Sequence, residues 1–316
     1  MGAGLWYWLS NIPSVDQDRT IVLVSPIPVE YGYWEIPYAQ DAGYFDEYNL
    51  NVSIVTVRSS SEMVQAVVSG EADFFTGTGD AVRAQLAGGS QLRIIYVNSL
   101  AGFSLIGRPG INTVQDIETM AHYVGRGSEA DILCDFLMPD NGMTLGEDYD
   151  EVFISIDGLV PAFQNDEFDA VSAGSIGFTL LNMGGTHLVK FADAFPQILM
   201  SGLTCDESRI EQKFEAYKDF IKALYRSQTY LMEHRDEAIE YGINTLGLEP
   251  DYAEWIYDYG FTNEYGAPYK ITPGMPLDDI EYSMKLNAEW LEKEEITVAD
   301  MVDTRLWDQA KQELGV

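Results

Sequence analysis

Short polar turns that follow apolar, β-branched runs are the residues of this chain best suited to chemistry. Ser59-Ser60-Ser61, Thr78-Gly79-Asp80, Gly127-Ser128 and Gly174-Ser175 each lead into a segment of helical character, and Asp157-Gly158 stands in a similar place. The first turn of a helix presents unpaired N–H groups and the positive end of the helix dipole, so a set of such turns can hold an anionic or hydrogen-bonding ligand. Taken singly, each serine does no more than cap its helix, a contribution of about 1 kcal/mol. Arg58 and Arg126 occupy matching positions, each at a strand end just before a helix. Two guanidinium groups so placed could clamp a carboxylate or sulfonate, or could equally balance neighbouring acids on the surface. Tyr31, Tyr33 and Trp34 crowd a loop between Pro28 and Pro37. Loop aromatics can stack on a planar ligand or pack back onto their own lobe.

Signatures of catalysis are missing from this inventory. There is no G-x-S-x-G elbow, P-loop or complete dinucleotide fingerprint, and Gly77-Thr-Gly79 is only a fragment of one. His122, His187 and His234 are far apart, without the spacing of a zinc motif, and Cys134 and Cys205 form neither a disulfide framework nor a metal cluster. Two buried thiols or a single bridge would both fit. A binding role with no catalysis, metal or cofactor is the expectation.

The elements that carry these turns alternate. Thr20–Val24, Val52–Val57, Asp73–Thr76 and Leu92–Val97 are expected strands, separated by helices that end at Gly43, Gly70 and Gly88. The pattern restarts with a helix from Thr113, strands at Tyr123-Val124, Val152–Ile156 and Ala170–Ser172, and a helix over Glu129–Met138. Strand and helix in alternation make an α/β protein with mainly parallel sheets. The stretch Met63–Phe75 aligns without a gap on Leu159–Val171, with Ala66 on Ala162, Glu71 on Glu167 and Asp73 on Asp169, so one helix–strand unit is used twice. From Ile210 onward the chain reads as helices only: Ile210–Tyr241, Pro250–Tyr259, Leu277–Glu295 and Asp300–Leu314.

The charge balance narrows the partners. With 51 acidic against 18 basic residues and a net charge of −33, the surface repels phosphate backbones, which excludes nucleic acid. The first lysine is Lys190. A carboxylate-rich, lysine-poor surface suits a saline or extracytoplasmic setting, although an ordinary acidic protein has the same balance. The apolar opening Met1–Leu9 is too short to span a bilayer and has no basic flank, so it is not a complete signal peptide.

Several segments resemble one known group. Asp41-Ala-Gly-Tyr-Phe-Asp-Glu-Tyr-Asn-Leu-Asn-Val52 is similar to a stretch of the solute-binding proteins of ABC importers for nitrate, sulfonates, taurine and thiamine-pyrimidine precursors. The likeness continues through Gln65–Phe74, Gly79-Asp80, Ile111–Ile117, Val124–Ser128, Lys213–Ile221 and Ile296–Leu314. Asn49 stands where a glycine is usual, and Ser172–Phe178 replaces a Trp-centred segment, a departure that touches the ligand and not the fold. The resemblance implies a two-lobed type II periplasmic-binding-protein fold with a two-crossing hinge. It also implies a small-molecule ligand in the cleft, a membrane permease as partner and an extracytoplasmic location.

The expected lobes are residues 1–98 with 203–316, and 99–202, in a monomer. The expected ligand-binding set is Tyr31, Tyr33, Trp34, Arg58, Ser59, Ser60, Ser61, Thr78, Gly79, Asp80, Asn98, Arg126, Gly127, Ser128, Asp157, Gly174 and Ser175. The aromatics lean towards a planar organic ligand, carrying an acidic group if the arginines face it. A ligand-sensing subunit on the same fold is the alternative. A thiamine-pyrimidine synthase, which resembles these proteins, would need a histidine and a Schiff-base lysine in the first lobe, and Thr20–Asn98 contains neither.

Overall fold

Buried β-branched runs pair into two separate five-stranded sheets, each covered by helices. The computed structural model describes residues 19–25, 33–57, 59–88, 91–100, 102–123, 126–261 and 273–316. Its first half contains β1 (Thr20–Ser25), α1 (Glu35–Asp41), α2 (Tyr44–Glu47), β2 (Asn51–Thr56), α3 (Ser60–Val68), β3 (Phe74–Gly77), α4 (Thr78–Leu86), β4 (Leu92–Leu100), β5 (Ser104–Gly107), β6 (Thr119–His122), α5 (Glu129–Asp140) and β7 (Asp150–Phe153). The second half adds α6 (Ile156–Gln164), β8 (Ala170–Ala173), α7 (Gly177–Asn182), β9 (Thr186–Lys190), α8 (Phe191–Ala194) and β10 (Leu199–Asp206). The helices α9 (Glu207–Glu233), α10 (Arg235–Asn244), α11 (Pro250–Phe261), α12 (Leu277–Trp290), α13 (Val298–Met301) and α14 (Arg305–Leu314) follow. No helix among the described residues is long and apolar enough to cross a membrane.

The strand orders are β2-β1-β3-β10-β4 and β7-β6-β8-β5-β9. They are the same order, with one antiparallel strand next to last in each: β10 runs against β3 and β4, and β5 against β8 and β9. The remaining strands of each sheet are parallel to one another, as alternation with helices requires. The two-lobed, mainly parallel α/β fold expected from the sequence is therefore the fold observed.

The repeated unit forms α3–β3 in one sheet and α6–β8 in the other, and its aspartates do the same job in both. Asp73 Oδ2 accepts the Val22 N–H at 2.9 Å, which sets β3 beside β1. Asp169 Oδ2 accepts the N–H groups of Glu118 and Thr119, both at 2.9 Å, which sets β8 beside β6. Each carboxylate is then neutralised, Asp73 by Lys213 Nζ at 2.8 Å and Arg209 at 3.2 Å, and Asp169 by Arg108 at 2.9 Å.

Some elements differ from the sequence expectation. Thr113 opens a single 3-10 turn, Val114–Asp116, because β6 begins at Thr119 and leaves no room for a helix. β6 ends at His122, one residue short of the strand expected at Tyr123-Val124, and Val124 lies outside the described residues. β5, β9 and β10 were not foreseen, and β10 ends at Asp206, just before the helical tail. The long helix from Ile210 breaks at His234, whose φ of −126° and ψ of 62° are not helical. Cys134 and Cys205 are both buried free thiols.

Helix α12 belongs to neither lobe alone. Ile280 and Met284 join the apolar cluster around Val24, Phe75 and Ile94 of the first sheet. Leu286, Tyr282 and Trp290 join the cluster around Leu105, Met120 and Leu133 of the second. Trp290 Nε1 also donates to Asp135 of α5 at 2.7 Å.

Asp73→Ala takes the carboxylate from the buried Lys213 ammonium, which keeps only the Thr20 carbonyl, and the acceptor from the Tyr217 hydroxyl. The expected cost is about 3 kcal/mol, read as a lower denaturation midpoint at unchanged slope. Asp169→Ala, whose partner Arg108 is more exposed, should cost less. Equal costs would contradict this account.

Candidate functional site

In sheets of this kind ligands sit outside the carboxyl ends of the parallel strands. Here those ends carry Tyr33 after β1, Ser59 after β2, Thr78 after β3, Tyr123 after β6, Asp157 after β7 and Gly174 after β8. The structure brings several of them together. Tyr33 is buried beside Thr76; burial, followed by the nearby Glu35, Asp80 and Tyr123 side chains, pushes its phenol well above its usual range. Tyr123, from the second lobe, accepts the Gly174 N–H at 3.2 Å. Phe103 flanks Gly174.

Helix α4 starts directly from β3 at Gly77, with no side-chain cap. Thr78, in its first turn, is fully buried, and its Oγ1 has no hydrogen-bond partner among the described residues. Gly79 is required by a close approach: a Cβ there would collide with the Glu129 carboxylate, which reaches over from the first turn of α5. Glu129 Oε2 takes 2.6 Å from Arg83 Nη1, Asp80 Oδ1 takes 2.7 Å from Arg83 Nη2, and Asn287 Oδ1 accepts from Arg83 Nη1 at 2.7 Å. A buried Asp80–Arg83–Glu129 network thus ties α4, α5 and α12 across the two lobes. Burial alone would lower the Arg83 guanidinium, but the two carboxylates hold it above its usual range, and burial raises Glu129.

Other expected residues are placed differently. Trp34 is 0% exposed and packs among Leu231, Ala238, Ile239 and Tyr257, over Gly242, so its ring fills the core beneath α10 and α11 and does not stack on a ligand. Asn98 is committed to the crossing between lobes, its Nδ2 donating to Glu35 Oε1 at 2.5 Å and its Oδ1 accepting from Ser201 at 2.8 Å. Arg126 is exposed and engaged by Glu151 and Asp131, the surface-balancing alternative. Gly127 adopts φ +73° and donates its N–H to Asp131 at 2.6 Å, while Ser128 caps α5. Ser59 caps α3, Ser60 and Ser175 are half-buried, and Ser61 and Asp157 are exposed. Tyr31 and Arg58 lie outside the described residues.

Sequence reasoning missed Thr76, Arg83, Tyr123, Glu129 and Glu35. Arg83 had one signal, its place one turn after Asp80 on the same helical face. Glu35 is 4% exposed at the start of α1, and burial raises its carboxyl to about 7. The groups around it form a closed set: Gln228 Nε2 donates to the Asn98 carbonyl at 3.0 Å and Tyr96 donates to Gln228 Oε1 at 3.1 Å.

Two sheets of this order, joined by two crossings, define the periplasmic-binding-protein fold. Solved structures share it at low identity. The periplasmic nitrate-binding protein NrtA from Synechocystis PCC 6803 superposes with a TM-score of 0.77 at 13% identity, over 94% of this chain and 89% of that one. The ligand-binding component of an ABC-type import system from Staphylococcus aureus, solved with zinc bound, gives 0.74 at 14% identity over 92% and 99%. The aliphatic sulphonate binding protein SsuA from Escherichia coli gives 0.70 at 15% identity over 90% and 92%. No curated protein matches the chain in sequence. The profile of the NMT1/THI5-like family matches residues 34–238, well over half of the chain, and the chain belongs to that family.

Two outcomes follow. The folded state holds a proton on Glu35 that the unfolded chain releases, so its contribution is fully present below pH 4.5 and is lost as pH rises through about 7. Glu35→Gln, which can keep the Asn98 bond, should therefore be more stable than the parent at pH 8, by on the order of 3 kcal/mol, with the difference vanishing below pH 4.5. Thermal melts across that range check it. Arg83→Met leaves the Asp80 and Glu129 carboxylates unpaired across the lobes. It should enlarge the small-angle scattering radius, and adding Glu129→Gln should reverse part of the change.

Proposed function

We propose that this chain is the extracytoplasmic solute-binding protein of an ABC importer, capturing a small organic molecule between its lobes and passing it to a membrane permease. The observation that carries the reading is the convergence of Tyr33 and Thr76 from one sheet with Tyr123, which holds Gly174, from the other. Family membership and the import-system proteins among the structural neighbours support it. On this reading the lobes are residues 1–98 with 203–316, and 99–202; α12, from the first, packs on the apolar clusters of both sheets. The chain acts by binding and carries out no chemistry on its ligand.

The ligand is planar and hydrogen-bonding, held between the Tyr33 and Tyr123 rings with the Thr78 hydroxyl as a polar anchor. Arg83 and Arg126 are both occupied by carboxylates, and Asp80 and Glu129 stand beside the α4 N-terminus. That balance favours an uncharged or cationic heterocycle over the carboxylate or sulfonate that free arginines would have selected.

Thr78→Val tests the anchor, because it replaces a buried hydroxyl that has no partner among the described residues with a group of the same shape. Stability without ligand should hold or rise, while affinity for a ligand found by native mass spectrometry and thermal-shift screening should fall about tenfold. Unchanged affinity would remove Thr78 from the site. A screen of pyrimidines, other heterocycles, sulfonates, nitrate and aromatic carboxylates without a single stabilising compound would sink the solute-binding proposal.

A further inference from the structure

A buried cluster on the second sheet takes no part in the cleft described above. His122 ends β6, Glu151 lies on the neighbouring strand β7 in register with Met120, and Asp131 sits in the first turn of α5, which covers that face. The side chains are 1%, 5% and 0% exposed. One carboxylate oxygen faces each ring nitrogen: Asp131 Oδ1 lies 3.7 Å from Nδ1 and Glu151 Oε1 lies 3.5 Å from Nε2. None of these four atoms has a hydrogen-bond partner among the described residues, although buried polar groups are nearly always satisfied. The second oxygens, by contrast, are taken: Asp131 Oδ2 accepts the Gly127 N–H, and Glu151 Oε2 accepts from Arg126.

We propose that His122, Asp131 and Glu151 bind one divalent first-row transition cation. One ligating atom from each residue lies within 4.8 Å of the others, so a modest inward shift of the side chains lets bonds of about 2.0–2.2 Å meet at one cation. An imidazole with two carboxylates selects zinc, iron or manganese over magnesium or calcium, which take oxygen ligands. The Gly127 and Arg126 contacts to the outer oxygens fix the direction of the inner ones, as supporting hydrogen bonds do around metal ligands. The negative field of a chain with net charge −33 draws cations to the protein. His122 directly precedes Tyr123 at the end of β6, so the cation site and the cleft share one strand end.

The test uses the full chain after chelator treatment, titrated calorimetrically with zinc or manganese alone, with magnesium as control and no organic ligand present. One equivalent should bind, with a rise in melting temperature, and His122→Gln and Glu151→Gln should each weaken binding at least tenfold. Should His122→Gln fail to fold, Glu151→Gln and the 15N shifts of the His122 ring in the parent protein give the same answer, since a bound cation moves one ring nitrogen. No stoichiometric binding, equal affinity in the variants, or a ring protonated on both nitrogens in the presence of metal would overturn the site. Because no solute is involved, that result would leave the solute-binding proposal standing.

Discussion

Among the described residues the backbone passes between the two sheets twice, after β4 and before β10, and both passages are parts of one antiparallel ladder. Where that ladder ends, a buried amide, two hydroxyls and a carboxyl must satisfy one another out of reach of bulk water. Asn98 holds Glu35 with its nitrogen and Ser201 with its oxygen, Ser201 meets Ser99, and Gln228 closes the set from α9. In a low-dielectric setting each bond depends on its neighbours, and a vacancy leaves an unpaired group behind. The placement of every other cleft residue follows from this junction, because it sets where the second sheet stands relative to the first. Asn98 spends one amide hydrogen and one lone pair of its oxygen on this junction.

How much of this was legible depended on whether a residue's role was local. β1, β2 and α3 are written in β-branched runs, caps and glycines, and they lie within a residue or two of where they were expected. The repeated aspartate was legible for a physical reason: Asp73 and Asp169 each accept the backbone N–H of a neighbouring strand, and that task permits little variation. β5, β9 and β10 escaped notice because their partners come from distant parts of the chain and because glycine and serine dilute the apolar pattern of β10.

The site shows the same division. The turns at the strand ends could be read as turns, and Thr78 and Gly79 do stand where two lobes meet. The direction of a side chain could not be read. Trp34 sits in an aromatic loop suited to a ligand, yet its ring is claimed by α10 and α11, which the chain makes far downstream. Arg126 matched Arg58 in position, but strand pairing sets Glu151 beneath it. Glu129 reads as an ordinary first-turn acid until the lobes come together and its carboxylate reaches Arg83.

Helix α12 adds a constraint of another kind. Two strands alone would leave the lobes free to bend, twist and slide, since a pair of nearly adjacent tethers defines an axis and little else. α12 adheres by Ile280 and Met284 to one apolar cluster and by Leu286 and Trp290 to the other, and it is placed well away from the strands in sequence. A third attachment removes degrees of freedom. Sliding would have to shear a packed helix across a close-packed surface, so the relative motion left to the lobes is a bend of the two strands that α12 must accommodate.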